Sequence, residues 1–362
     1  MMRKVCLAMF GFMAMLTSSL AAVAIQWQEY IGDPVFAPYL TTTIPDDYFP
    51  CVLYSSTQFD GNGDSVSYKM WHQGPNGVAV SYSNDGIHWS LQSEVIVDEF
   101  AFHPVVIYSS RTLPGGYHYQ MWYWSGNPNT VPPTLTMFFT QSADGLNWTK
   151  PVPTTQDQVN FLSNIQDKNT DFHQFHGFGS VLYNPSPTYK KGQPFTFPYV
   201  VYYDSVKGSQ TPSSPKESIA LAYSADGIHW IRFSNDAVMK PSGKSANWNG
   251  RYMYRASVVL LPQDNLYHMF YSGSNELSNT GLFYAHGIGH ATSKDGIKWK
   301  ADANPIFQTT DPIHWRSDHV LAPSVISLGA GQGLQMWFSG GKSSYRGSPT
   351  DMRIGYATAT VH

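Results

Sequence analysis

The sequence predicts an all-β fold, a five-bladed β-propeller in which an N-terminal strand completes the last blade. Three observations predict it: a hairpin motif present four times, a strand motif present five times, and an N-terminal copy of a segment that elsewhere follows a hairpin. Self-similarity with a period of several tens of residues is the signature of radial arrays.

The hairpin motif is Ser83-Asn84-Asp85-Gly86-Ile87-His88-Trp89, and it returns at Ser142 to Trp148, Ser224 to Trp230 and Ser293 to Trp299. Each Asp-Gly follows an alternating strand such as Ala79-Val80-Ser81-Tyr82. Glycine there supplies the positive φ of a tight turn and Asp binds the turn backbone, so these motifs are read as structural punctuation. The strand motif upstream reads Tyr68-Lys69-Met70-Trp71, Tyr119 to Trp122, Tyr199 to Tyr202, Tyr267 to Phe270 and Leu334 to Trp337. Upstream again lies an apolar strand, often with Pro: Phe49 to Leu53, His103 to Ile107, Phe178 to Leu182, Arg255 to Val259 and Ala322 to Ile326. Near-continuous apolarity suits the innermost position of a blade.

The fifth repeat stops after Ile354 to Thr358 without a hairpin or fourth strand. Asp33-Pro34-Val35-Phe36 resembles Asn304-Pro305-Ile306-Phe307, which follows the fourth hairpin. The N-terminal segment is therefore expected to supply the missing outer strand and remove an exposed edge. Residues 1–24 read as a secretory signal: Arg3 and Lys4, an apolar run from Val5 to Leu16, and small residues Ala22-Val23-Ala24 before the cleavage point. Residues 25–362 then form a single domain, secreted or periplasmic, with no membrane span after cleavage. Only Cys51 remains in that mature chain, so an intramolecular disulfide is excluded. Aromatic residues at 15% exceed charged residues at 13%, which suits β structure. A net charge of -3 without a Lys or Arg run argues against nucleic acid as a partner. Oligomeric state leaves no mark in the sequence.

Loops entering the innermost strands and joining second to third strands share one face of a propeller. Here they are long, at Gln156 to Gly177, Asp204 to Glu217, Ser272 to Gly287 and Gly340 to Met352. Long loops carry function more often than connectivity. Aligning the repeats places Asp46, Asp47, Tyr48, Glu99, His103, Asp171, His173, His176, Arg251, Tyr254, Arg255, Trp315, Arg316, Asp318 and His319 around the channel mouth.

Three chemistries compete for this ring. Acid/base hydrolysis needs two carboxyl groups across a glycosidic bond, and Asp47 with Asp318 is the leading pair, Glu99 third. Against it, Asp47 after Pro45 can cap a turn and Asp318 can pair with Arg316 or Arg251. A metal site would draw on Asp171, His173 and His176, with His103 or His319 across the channel, although a hydrogen-bonded histidine explains the same residues. Binding without catalysis would use Trp124, Trp248, Trp315, Tyr252 and Tyr254 as flat platforms. Substrate contacts would then come from His103, His176, Arg251, Tyr254, Arg255, Trp315, Arg316 and His319. Trp248 and Trp315 hold the same position in their repeats, which suits packing equally well. None of these readings requires a cofactor; a divalent ion in the channel stays open.

The run Tyr119 to Gly126, Ile288 to Trp299 and Asn304 to Phe307 resembles the five-bladed propellers of the glycoside hydrolase superfamily, which includes arabinanases, invertases, levansucrases and mannoside phosphorylases. The resemblance covers almost the whole mature chain and implies a carbohydrate or glycoconjugate ligand. Those enzymes generally draw carboxylates from their first three blades, commonly an Asp just before the Pro of the first innermost strand. This chain has Phe49 there, His103 before the Pro of the second strand, and no Glu from Phe172 to Leu182. The implied function is a carbohydrate-active propeller, a divergent glycosidase or a non-catalytic glycan- or protein-binding relative.

Overall fold

The computed structural model describes residues 24–37, 48–59, 65–98, 101–127, 134–156, 159–160, 173–188, 190, 192–207, 217–244, 246–275, 286–329, 331–342 and 351–361. The described chain is all-β: besides strands it holds two single-turn 3₁₀ helices, Pro194–Thr196 and His314–Arg316, and no α-helix.

Strand β1 spans Ile25–Glu29, and the first repeat is β2 (Tyr48–Tyr54), β3 (Tyr68–Gly74), β4 (Gly77–Ser83) and β5 (Ser90–Val97). The second is β6 (Phe102–Tyr108), β7 (Tyr119–Asn127), β8 (Thr134–Ser142) and β9 (Val152–Pro153), followed by β10 (Thr155–Gln156) and β11 (Val159–Asn160). The third is β12 (His173–Tyr183), β13 (Tyr199–Lys207), β14 (Glu217–Ser224) and β15 (His229–Arg232). The fourth is β16 (Tyr252–Leu261), β17 (Leu266–Ser274), β18 (Gly287–Ser293), β19 (Lys300–Ala301) and β20 (Phe307–Gln308); β21 (His319–Ser327), β22 (Leu334–Lys342) and β23 (Asp351–Val361) end the chain. Within each repeat consecutive main strands pair antiparallel. The third and fourth repeats are joined into one sheet by a single parallel pair, Glu217 with Tyr252.

β1 pairs antiparallel with β23, Ile25 opposite Val361 and Glu29 opposite Ala357. Val35 and Phe36 donate backbone N–H groups to the Ile354 carbonyl at 3.0 and 3.2 Å, as Ile306 does to Ile288 at 2.7 Å. The likeness of these two segments in sequence is thus a likeness of place against the third strand of a repeat.

The innermost strands close a circle, β2 on β6, β6 on β12, β12 on β16, β16 on β21 and β21 on β2. Short side chains stitch it: Val52, Val106, Val258 and Val325 donate backbone N–H groups to Ser324 Oγ, Cys51 Sγ, Ser180 Oγ and Ser257 Oγ of the neighbouring strand. Burial pushes the Cys51 thiol up to about 11, against its own bond to the Val106 carbonyl. A thiol so raised holds little thiolate at neutral pH. Cys51 is expected to react with a disulfide reagent at pH 8 at least tenfold more slowly in the native protein than after unfolding in urea, followed by absorbance.

The aromatic residue ending the second-strand motif binds the next repeat. Trp71 Nε1 donates to the Gly145 carbonyl at 3.3 Å, Trp122 Nε1 to Gly227 at 2.7 Å and Tyr202 OH to Gly296 at 2.6 Å. Trp337 of the last repeat reaches back to Gly86 of the first at 2.8 Å. Phe270, which has no polar hydrogen, faces the one repeat without an Asp-Gly hairpin. Gly86 has φ 76°, and a Cβ there would stand 2.8 Å from the Trp337 ring, so glycine serves both the turn and the seam. In all four hairpins the Asp carboxylate accepts the N–H groups two and three residues on, as Asp85 does from Ile87 and His88 at 2.8 Å.

Candidate functional site at the channel mouth

The backbone itself turns side chains into the channel. The first and second strands lose register at the same place in each repeat, between Tyr48 and Cys51, Phe102 and Val105, Phe178 and Ser180, Tyr254 and Ser257, and Leu321 and Ser324. Phe49, His103, Arg255 and Ala322 sit in these bulges with left-handed φ values of 56°, 55°, 53° and 52°. Bulges re-aim side chains, and a left-handed non-glycine residue costs about 1–3 kcal/mol. Neighbouring repeats hold the strained backbone: Phe49 N–H donates to Ser339 Oγ at 2.9 Å, Ala322 N–H to Ser272 Oγ at 2.8 Å and Arg255 N–H to Asp204 Oδ1 at 2.7 Å. The side chains meet around a cavity of about 30 Å³ bounded also by Phe178 and Gly179. Beyond it the channel widens to about 430 Å³ between aliphatic residues such as Leu53, Ile107, Leu182 and Ile326.

Arg255 organises the narrow part. Its Nη1 pairs with Asp204 Oδ2 at 3.2 Å and donates to the Phe178 carbonyl at 3.3 Å, while Nη2 donates to His103 Nδ1. The guanidinium lies over the Phe49 ring, 5.2 Å from its centre, and His103 meets the same ring edge-on. Burial, reinforced by the Arg255 charge, pushes His103 well below the usual imidazole range, so it is a neutral acceptor. Arg255 reaches this position across Gly177, where a Cβ would stand 2.6 Å from Nη1. His103 and Arg255, both expected at the mouth from sequence, are thus brought together. Asp204 escaped the sequence reading; it follows the aromatic pair Tyr202-Tyr203 at the position that Ser272 and Ser339 hold in their repeats, and that alignment would have found it.

Other expected residues take different places. Tyr254 is 4% exposed and packs with Tyr252, Leu321, Ala322 and Met352, beside Glu217 and Asp204, rather than forming an open platform. Trp124 is buried and stacked on Phe102. Trp248 packs on Gly273, Gly289 and Tyr271, and Trp315 does the same with Gly340, Gly355 and Phe338, so the repeat position is one of packing. Asp318 is half-buried, accepts from Ser317 Oγ at 3.4 Å and adjoins His319, whose imidazole is lowered by burial against the pull of Asp318. Arg251 is half-buried where the chain enters β16, its N–H donating to the Ser274 carbonyl. Asp46, Asp47, Glu99 and Asp171 lie outside the described residues, as do the side chains of Tyr48, His173 and His176. Among the described residues no group of three or more His, Cys, Asp or Glu is placed to hold a metal ion.

Arg316 serves the seam instead of the channel. It is 1% exposed, and its guanidinium binds Glu29 of β1 at 2.6 Å and Asp311 at 3.1 Å. Asp33 stands close by, accepting the Tyr356 N–H at 2.9 Å. Burial raises its carboxyl to about 8, with Glu29 adding to the rise and the Tyr356 bond and Arg316 opposing it. The folded protein therefore keeps a proton that the unfolded chain releases near pH 4, and stability falls as pH climbs from about 4 to about 8. Asp33→Asn keeps an acceptor for the Tyr356 N–H and should remove that fall. Urea unfolding is expected to find the variant more stable than the parent at pH 8.5 by on the order of 2 kcal/mol, with the gap narrowing toward pH 5.

No family model and no curated protein matches the chain. Its fold is that of the β-propeller glycoside hydrolases. Among solved structures it is similar to a thermostable family-43 glycoside hydrolase, at 15% identity over 87% of this chain and 88% of that one, with a TM-score of 0.53. An N-acetylgalactosamine deacetylase from F. plautii, in complex with blood group B trisaccharide, shares 16% identity over 94% and 95% of the two chains, with a TM-score of 0.59. A structure from the GH130 family of mannoside phosphorylases, described as containing glycoside hydrolases that target beta-1,2 mannosidic linkages in Candida mannan, shares 14% identity over 92% and 93%, with a TM-score of 0.55. At such identities the likeness is one of fold.

Proposed function

We propose that this chain is a secreted, glycan-binding propeller of five blades, with residues 1–24 removed as a signal and residues 25–362 forming one domain. Its ligand is a carbohydrate or glycoconjugate, held at the channel mouth. Among the described residues no helix is long and apolar enough to cross a membrane. The circle of five innermost strands supports the blade count. One observation carries the choice of binding over hydrolysis: among the described residues, those turned into the channel at the bulges are Phe49, His103, Arg255 and Ala322, and the carboxylate beside them, Asp204, is engaged by Arg255. Glycoside cleavage needs two carboxyl groups about 5–10 Å apart with room for the sugar between them. A neutral imidazole, a guanidinium and an aromatic face instead offer hydrogen bonds and an apolar surface, which is what sugar recognition uses.

The test is a glycan array run beside a hydrolysis screen on chromogenic glycosides and polysaccharides, with the parent, His103→Ala, Asp47→Asn and Asp318→Asn. Binding to a defined glycan class that weakens at least tenfold in His103→Ala, survives in both Asn variants and comes without turnover is the expected result. Turnover that vanishes in Asp47→Asn or Asp318→Asn would replace this reading by a glycosidase.

A further inference from the structure

A line of four titratable side chains runs through the fourth repeat from interior to surface. Asp264, in the turn between β16 and β17, meets His268 Nε2 at 3.1 Å; His268 Nδ1 meets His290 Nε2 at 2.9 Å; His290 Nδ1 meets Asp302 Oδ2 at 2.8 Å. The first two side chains are fully buried, whereas Asp302 is 56% exposed.

Counting protons along this line gives an unexpected answer. Each of the three contacts needs one hydrogen, because two lone pairs facing each other at such distances repel. Two neutral imidazoles bring one N–H each and two ionised carboxylates bring none. Whichever tautomers are chosen, one contact is left without a proton. Its bond from His290 holds Asp302 below the usual carboxylate range, so Asp302 is ionised. Asp264 also accepts the Leu266 N–H on Oδ1 at 3.0 Å, which leaves Oδ2 for His268. The missing proton sits either on the Asp264 carboxyl or on the rings, and counting ring N–H protons tells the two apart.

We propose that His268 and His290 share a third N–H, forming a buried imidazole–imidazolium pair between two carboxylates that acts as a proton-operated clasp. A metal ion is the rival occupant of two facing ring nitrogens, since histidine ligands are typically braced by carboxylates from behind. The geometry decides against it. The ring centres are 5.2 Å apart and the planes differ by 20°, so the rings face head-on, nearly coplanar, along the N···N line. An ion about 2.0–2.1 Å from both nitrogens would sit off that line and require the ring axes to converge.

Lys300 also acts on the line, near Asp302. On the paired strands His268 faces Val259 and Thr292, and His290 faces Phe270, so these neighbours add no charge. Burial, with the second ring beside it, holds His268 below the usual imidazole range, while Asp264 and Asp302 pull the other way. Raising the pH removes the shared proton, leaves one of the three contacts as two facing lone pairs and loosens the line. The clasp is shut when protonated and released by base.

The experiment is nitrogen-15 NMR of the intact protein labelled at histidine, with resonances assigned through His268→Asn and His290→Asn. Three ring N–H protons from this pair at about pH 5.5, one coupled to nitrogens of both rings, and two at about pH 9 are expected. Asp302→Asn, a change at an exposed side chain, should lower the pH at which the third proton leaves by about one unit. Two ring protons at both pH values, an unmoved transition in Asp302→Asn, or a stoichiometric metal whose chelation shifts these resonances would each overturn the proposal.

Discussion

Replacing Trp337 by alanine is expected to destabilise the protein by about 3–5 kcal/mol, the usual cost of emptying a fully buried indole site. Trp337 is 0% exposed and packs among Tyr68, Trp89 and Tyr356, between the last repeat and the first. Its hydrogen bond is the smaller part of the effect. The Gly86 carbonyl also accepts Trp89 Nε1 at 2.9 Å, so it keeps a partner when Trp337 is gone. Trp337→Phe should therefore cost only about 1–2 kcal/mol, most of the ring volume being retained. Urea unfolding of the two variants separates cavity from bond: equal losses would mean that the bond dominates and that this account of the seam is wrong.

Arg316→Met is expected to cost about 3–5 kcal/mol, the penalty for removing one member of a buried ion pair and leaving its partners charged. The loss arises from Glu29, 14% exposed, and Asp311, which would face each other across a site that no longer holds a cation. Adding Glu29→Gln should restore part of it, because the second change removes an uncompensated charge. A double variant less stable than the sum of its single changes would contradict this assignment. Unfolding monitored by tryptophan fluorescence reads both.

Much of the fold was legible because the residues that make it repeat. The Asp-Gly hairpins could be placed from four copies, and the likeness of Asp33 to Phe36 with Asn304 to Phe307 pointed to the strand now seen against β23. The same alignment misplaced Arg316. It lies in the approach to β21, beside residues expected at the mouth, yet a 3₁₀ turn at His314–Arg316 directs it to Glu29, which is remote in sequence. The meeting of Arg255 and His103 was illegible for a related reason: it spans the channel between non-adjacent repeats and depends on Gly177 having no side chain. Trp248 and Trp315 look like sugar platforms when only residue type is considered. Their role is set by the glycines opposite them, Gly273 and Gly289 for one and Gly340 and Gly355 for the other.

Pairing β1 with β23 also fixes an order of assembly. The strand that appears earliest waits for the one that appears last, and Trp337 likewise finds Gly86 only after every intervening repeat is made. Contacts so distant in sequence form slowly, since the loop must be closed before it is rewarded. A partly synthesised chain can build individual sheets but keeps an open edge until β23 is made.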